Sequence, residues 1–200
     1  MIGVPSTVVD RWLSRDFELI GAVAGMGSSL VDLWEASPVR LKSNEANTDK
    51  VIDLLFSGNP LLCCGWTRHC FDTRARPQWY KLQDLQFIVP SPMTARQGLT
   101  REGKRSAHAL SNTGPRRFLI VEFDFATSNS DEEARLLERL ASERRDVRDL
   151  CAALLLHLAE KAPLVLAVHS GGKSLHGWFY CAAVPEEKVW RFFRYAVPRR

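Results

Sequence analysis

The fold of this chain is decided by one apolar stretch that carries two acids, Phe118-Leu119-Ile120-Val121-Glu122-Phe123-Asp124-Phe125. We predict a strand here, and successive side chains of a strand point to opposite faces. Glu122 and Asp124 would therefore share one face, while Val121, Phe123 and Phe125 would face a core. Two carboxylates on one face repel each other unless a cation or a proton lies between them.

A second polar segment follows about fifty positions later, Ser170-Gly171-Gly172-Lys173-Ser174-Leu175-His176. A glycine turn exposes backbone N–H groups, which suit phosphate oxygens. Ser174 and His176 lie two apart on the strand predicted to follow, so they share a face. With the Lys173 ammonium they form a candidate triphosphate-binding group. The alternative is a polar hairpin with a histidine under Trp178. The segment is not a P-loop, because the first glycine of that motif is missing and a strand follows.

Bulk properties fit one substantial domain or two small lobes, since the chain has 200 residues, of which 46% are hydrophobic and 25% charged. We identify no apolar run of the ~20 residues that a membrane helix needs and no signal peptide. Five cysteines, an odd number, favour the reducing cytoplasm over a disulfide framework. Cys63, Cys64, His69 and Cys70 lack the paired spacing of a structural zinc site, so buried free thiols are the preferred interpretation.

Positive charge is concentrated between Ser91 and Arg117, where six basic residues and one acid give a net +5, against +4 for the whole chain. Glycines and prolines in this segment predict a loop. A basic loop before the acidic strand favours a polyanionic ligand, with a solvated surface loop as the alternative. The candidate nucleic-acid-binding residues are Arg96, Arg101, Lys104, Arg105, Arg116 and Arg117.

The chain is predicted to be α+β, with an N-terminal α/β module over 1–90, a basic linking loop over 91–116 and a further unit over 117–200. The module would contain a helix after Ser6 or Thr7, a helix from Asn47 or Thr48 through Phe56, and strands over 61–66 and 83–89.

The order predicted for residues 117–200 is β-α-β-β-α, with strands over 117–125, 164–168 and 175–183. This is a ferredoxin-like or RNA-recognition-like split unit without its final strand. In such a unit the first and third strands are adjacent, about 4.8 Å apart. The acidic face and the Ser174–His176 face would then meet.

This combination resembles the catalytic core of the archaeo-eukaryotic primase superfamily, and within it the RepB-like primase and primase-polymerase domains of plasmids, phages and integrated elements. Glu122-Phe123-Asp124 matches that family's acidic strand, and Ser174-Leu175-His176 matches its Ser-x-His strand. The likeness covers about residues 117 to 196. The family more often has aspartate first, and its third acid has no clear counterpart here, because Glu186 and Glu187 are better explained as a helix start.

The resemblance implies a DNA primase or polymerase-type nucleotidyltransferase that uses two Mg²⁺ or Mn²⁺ ions on Glu122 and Asp124. It implies that Glu122, Asp124 and His176 are catalytic and that Ser174 and His176 hold the nucleotide phosphates. The expected partners are a single-stranded DNA template and nucleoside triphosphates, with a helicase as a further candidate. We weigh this against a non-catalytic replication-initiation module that binds nucleic acid on the same fold. A relaxase-like domain is disfavoured, since His176-Gly177-Trp178 lacks the second histidine of that class.

Overall fold

A computed structural model of the protein describes residues 16–39, 48–126 and 130–196. The described chain is mixed α+β, as predicted. It divides into two compact units, one drawn from Met1–Ser37 with Leu119–Arg200 and the other from Pro38–Phe118. Residues 91–116 fall in the same unit as the strands that precede them, and the first described helices fall in the same unit as the strands that follow residue 118. The division into 1–90, 91–116 and 117–200 stays a prediction. The helix predicted after Ser6 or Thr7 lies outside the described residues.

In chain order the helices and strands are α1 (Phe17–Gly25), α2 (Leu30–Glu35), α3 (Thr48–Leu55), β1 (Leu61–Thr67), β2 (Cys70–Ala75), β3 (Phe87–Ile88), β4 (Gly98–Leu99), β5 (Arg105–Ser106), β6 (Phe118–Phe123), α4 (Asp131–Ser142), α5 (Val147–Ala159), β7 (Leu164–His169), β8 (Leu175–Tyr180) and α6 (Glu186–Ala196).

The first unit contains a sheet in the order β6-β8-β7. Strand β7 pairs antiparallel with β8, with Val168 opposite His176. The core of this unit lies between the sheet and a layer that includes α1, α4 and α5, and α5 contributes the most buried side chains. Val121 and Phe125 belong to this core and Phe123 packs against it. The predicted orientation of the apolar side chains of β6 is therefore confirmed.

Helices α1 and α2 are fixed to this unit by two side chains at the start of α5. The guanidinium of Arg145 donates hydrogen bonds to the carbonyls of Ala24 and Ser28 at the end of α1 and in the linker to α2. The carboxylate of Asp149 accepts the backbone N–H of Leu30 at 3.0 Å. These contacts satisfy backbone groups that helix ends leave without intrahelical partners.

The second unit is built on a sheet in the order β2-β1-β3. Helix α3 is joined to the end of β2 by Arg76, whose guanidinium lies 2.6 Å from Asp53 and 2.8 Å from Asp49. Beneath the sheet the buried Trp79 indole N–H donates to the carbonyl of Leu62 at 3.1 Å. A buried tryptophan usually finds such a partner for its N–H.

Local differences from the predicted elements have local causes. The strand predicted over 83–89 is reduced to β3, because Leu82–Asp84 forms a turn of 3-10 helix that buries Leu82. The strand predicted over 175–183 ends at Tyr180. Strand β2 was not predicted. Among the described residues, no helix combines the length and the apolar character needed to cross a bilayer.

The five cysteines differ sharply in accessibility, which yields a chemical test of the fold. Cys63 and Cys64 are buried on β1, and burial raises the pKa of Cys64 to about 12. Burial also raises the pKa of Cys63. Cys70 is exposed at the start of β2. Because the thiolate is the reactive form, we expect iodoacetamide to alkylate Cys70 first in the native protein and all five thiols after denaturation. Mass spectrometry of digested protein checks this, and early modification of Cys63 or Cys64 would contradict the burial of β1.

Candidate functional site

Three polar side chains from the two predicted motifs meet where β6 and β8 run side by side. The Ser174 hydroxyl donates to Glu122 Oε1 at 3.1 Å. His176 Nε2 lies 3.0 Å from the same oxygen. Ser174 precedes β8 directly and His176 is its second residue, so the period-two alternation of a strand presents both on the face opposite Leu175 and Gly177. The structure thus brings together Glu122, Ser174 and His176 as the sequence pattern indicated.

The two serines form a directed hydrogen-bond chain that ends on the carboxylate. An ionised carboxylate only accepts hydrogen bonds, so the Ser174 hydroxyl must use its single proton on Glu122. Ser170 Oγ lies 2.6 Å from Ser174 Oγ and 3.2 Å from the Ser174 carbonyl oxygen. Ser170 is therefore the donor in its contact with Ser174. Ser174 is 6% exposed whereas the Glu122 side chain is 51% exposed, so the chain leads from a buried hydroxyl to an open carboxylate.

His176 Nε2 approaches Glu122 closely but at an angle that does not make a hydrogen bond. The nitrogen is shielded from solvent and has no aligned hydrogen-bond partner among the described residues. A buried polar atom in this state costs free energy and in native proteins usually meets a ligand, an ion or a water molecule. The close contact to Glu122 supplies charge attraction only when the imidazole is protonated. This nitrogen is the feature of the site that most directly calls for a further partner.

Helix α5 packs against both segments that carry the candidate site, the end of β6 and the start of β8. The thiol of Cys151 contacts the carbonyl of Phe123 at 3.5 Å and the carbonyl of Lys173 at 3.8 Å. A Cβ atom at Gly177 would collide with the side chain of Leu155. Glycine at 177 thus permits α5 to approach β8 one residue beyond His176. Sequence reasoning missed these supports, although a glycine inside a strand is a known signal of close backbone approach.

Asp124 lies one residue beyond the end of β6 and is exposed. The backbone that follows it is fixed by Glu133, a fully buried acid on α4 whose carboxylate accepts the N–H of Ala126. Ser130 and Glu133 have the spacing that is typical of a capping box. Ser130 Oγ accepts the N–H of Glu133 at 3.2 Å, and the Glu133 carboxylate holds the chain at Ala126, two residues after Asp124.

The turn before Ser174 is stabilised by its own residues. Gly171 adopts a left-handed conformation with φ of 91°. Its N–H donates to His169 Nδ1 at 3.2 Å, and His169 Nε2 in turn lies 2.9 Å from the Gly172 carbonyl. In this structure His169 accepts the Gly171 N–H, and the binding of phosphate by this turn stays a prediction. Lys173 is exposed beside the buried Ser174.

The two predicted metal ligands, Glu122 and Asp124, lie two positions apart at the end of β6. The contacts of Glu122 with Ser174 and His176 both fall on Oε1, and Asp124 is exposed. Across residues 16–39, 48–126 and 130–196 no group of three His, Cys, Asp or Glu side chains is placed to hold an ion. Two carboxylates suit Mg²⁺, which enzymes often bind through one or two carboxylates with substrate phosphates.

The predicted basic residues are distributed through the second unit. Arg101, Lys104 and Arg105 are exposed on one small hairpin, formed by β4 and β5. Arg96 donates to Gln78 at 2.9 Å. Arg116 is exposed, and Arg117 places its guanidinium 5.8 Å from the centre of the Phe118 ring. The hairpin is thus where three of the six predicted cations come together.

No protein-family model, no curated protein and no solved structure matches this chain significantly.

The close approach of α5 to β8 yields a stability test. Gly177→Ala should lower the free energy of unfolding by about 1–3 kcal/mol, because Leu155 and Phe179 must move to admit the methyl group. Gly172→Ala is the matched control, since no atom lies within 4 Å of a Cβ built there, and we expect a change within about 0.5 kcal/mol. Urea unfolding of both variants measures the difference. Equal stabilities would show that α5 does not limit the space at Gly177.

Proposed function

We propose that this protein is a primase-type nucleotidyltransferase that joins nucleotides on a single-stranded template. One observation carries the proposal. An acidic residue from β6 and a Ser-x-His pair from β8 share one face of adjacent strands, with Ser174 and His176 both about 3 Å from Glu122 Oε1. This juxtaposition matches part of the motif combination on which the resemblance to the archaeo-eukaryotic primases rests.

The topology of the first unit supports the same assignment. Its strand order β6-β8-β7, with helices after β6 and after β8, is that of the first three strands of a ferredoxin-like or RNA-recognition-like split unit. In that arrangement the first and third strands are adjacent, and these are the strands that carry the two motifs. We therefore propose this split unit as the fold of residues 117–196.

The nucleotide phosphates would be bound by Ser174, His176 and Lys173. The unaligned Nε2 of His176 would gain a partner if a phosphate oxygen came within hydrogen-bond distance of it. The Ser174 hydroxyl is placed next to it, and the exposed Lys173 ammonium adds positive charge at the turn. Ser170 would hold Ser174 in position through their 2.6 Å contact.

Glu122 and Asp124 would hold Mg²⁺ or Mn²⁺ together with the bound phosphates. The cation, when bound, stabilises the charge that develops as a hydroxyl displaces pyrophosphate from the α-phosphorus. The protein's own contribution is to keep the two carboxylates at the end of β6 through Glu133 and α5, and to hold the phosphates through β8.

Primer extension with isosteric variants tests this function. Glu122→Gln and Asp124→Asn should each lower the rate of Mn²⁺-dependent nucleotide incorporation by about 10²-fold or more, in the range seen when one charge-stabilising group is removed. Glu122→Gln keeps an oxygen that can accept from Ser174, so we expect little change in the unfolding transition. Glu138→Gln is the matched control, because Glu138 is an exposed acid on α4 of the same unit.

Two results of this assay have opposite meanings. Activity lost in the two site variants and kept in Glu138→Gln supports the proposal. Folded wild-type protein that neither incorporates nucleotide nor binds nucleoside triphosphate with Mn²⁺ excludes catalysis by this chain.

A non-catalytic nucleic-acid-binding module on the same fold is the second candidate. The observation that favours it is that Glu122 Oε1 already serves a structural hydrogen bond from the buried Ser174. On this interpretation the carboxylate stabilises β8 and binds no cation. Single-strand affinity that falls steeply with salt, is unchanged by EDTA and is unaccompanied by nucleotide binding would favour this module.

A further inference from the structure

An aromatic strip crosses one face of the β2-β1-β3 sheet in the second unit. Gly65 on β1 lies opposite Phe71 on β2 and opposite Phe87 on β3. Side chains of directly paired residues project from the same face of a sheet. The two phenylalanines therefore flank a position that has no side chain, and their ring centres are 5.9 Å apart.

Glycine at position 65 is what lets the two rings approach. A Cβ atom there would lie 2.9 Å from carbons of the Phe71 ring, so Phe71 covers the bare backbone of β1. An aromatic ring that lies over a glycine of the neighbouring strand is a recognised stabilising arrangement in sheets. The outer surface remains accessible, since Phe87 is 42% exposed.

His108 extends the strip on the other side of Phe71. Its ring centre is 4.5 Å from that of Phe71, and the ring is exposed. The segment before it is fixed by two buried polar side chains, because the Thr73 hydroxyl and the Asn112 amide both donate to the carbonyl of Ala107, at 2.8 and 3.0 Å. Phe87, Phe71 and His108 thus form a continuous row of rings on a rigid base.

A basic hairpin directly precedes His108 in the chain. The hairpin of β4 and β5 carries Arg101, Lys104 and Arg105, all exposed, with Glu102 as the acid among them. Arg105 is three residues before His108. Proteins bind single-stranded nucleic acid without sequence preference by combining two features. Aromatic side chains stack on the bases, and basic side chains nearby contact the phosphate backbone. A purely apolar partner would leave these cations uncompensated, so the charge favours a polyanion.

We infer that the strip Phe87–Phe71–His108 and the basic hairpin form a binding surface for single-stranded nucleic acid, with bases stacked on the rings and phosphates beside the hairpin. Neither phenylalanine nor His108 was predicted as a functional residue from the sequence. The inference deepens the proposed function by naming where its template would bind, and it rests on that function only for the role of the bound strand. The surface uses neither Glu122 nor Asp124.

Fluorescence anisotropy with labelled oligothymidine and oligouridine in EDTA tests the surface. Phe87→Ala and His108→Ala should each weaken binding by about 5- to 150-fold, the effect of losing one stacked base. Tyr80→Ala is the control, because Tyr80 is an 82% exposed aromatic of the same unit outside the strip, and it should bind as the wild type does. A triple variant with glutamine in place of Arg101, Lys104 and Arg105 should depend less on salt. The slope of the logarithm of the binding constant against the logarithm of the salt concentration should fall in magnitude by about 2. The two oligonucleotides distinguish DNA from RNA as the bound strand.

Two controls keep the result interpretable. Gly65→Ala leaves both phenylalanines in the sequence but displaces Phe71, so it should also weaken binding, and near-ultraviolet circular dichroism checks that the unit remains folded. The affinity for duplex DNA of the same length should be unchanged by Phe87→Ala, because the faces of paired bases are stacked within the duplex and cannot contact the rings.

The inference is overturned if folded Phe87→Ala and His108→Ala variants bind oligothymidine and oligouridine as tightly as Tyr80→Ala does. It is also overturned if Phe87→Ala converts a dimer to a monomer in light scattering without loss of oligonucleotide affinity, because the strip would then be an interface between copies. Glu122→Gln should retain single-strand binding. Wild-type protein that binds both oligonucleotides but incorporates no nucleotide would count against the proposed catalysis and would leave this surface supported.

Discussion

The contact between α5 and the two motif-bearing strands is the constraint on which the candidate site depends. A carboxylate and a buried serine hydroxyl are unfavourable neighbours unless the backbone is held firmly, because each polar group loses solvation as it approaches the other. Here α5 supplies that support with apolar groups. Its Leu155 packs at Gly177, and its Cys151 lies beneath both Phe123 and Lys173. The polar face of the sheet is thus positioned by packing on the opposite face.

The sequence predicts the polar face well because a strand has a strict period of two. Once β6 and β8 were assigned, the side-chain directions of Glu122 and His176 followed, and the split-unit topology placed the strands side by side. The sequence pattern did not reveal which groups form hydrogen bonds with the backbone of the turn before Ser174. That depends on His169 accepting the Gly171 N–H, and nothing in the local sequence distinguishes this from an N–H offered to a ligand. Glu133 is similar, since a capping box and a tertiary bond to Ala126 require the same residue at the same position.

The second unit was less predictable, and the reason is again physical. Strand β2 contains polar and apolar residues with little net preference, so its assignment depends on pairing with β1 rather than on its own composition. The aromatic strip exists only after that pairing, because Gly65 separates Phe71 from Phe87 across three strands. Trp79 of the same unit is buried, whereas Phe87 and His108 are exposed.

The hydrogen bond between Ser174 and Glu122 gives the proposed site a built-in coupling between its ligands. Ser174 has one proton, which it can donate to Glu122 or to a phosphate oxygen but not to both. Under the proposed function, a phosphate that took this proton would remove a donor from Glu122 and leave the carboxylate charge less compensated. A cation at this carboxylate would compensate that charge and leave Ser174 free to turn to the phosphate. Each ligand would then lower the cost of binding the other, and by linkage the two affinities would rise together. In the binding-only module the same hydrogen bond would simply persist, so this exchange at Glu122 is the point at which the two functional interpretations differ physically.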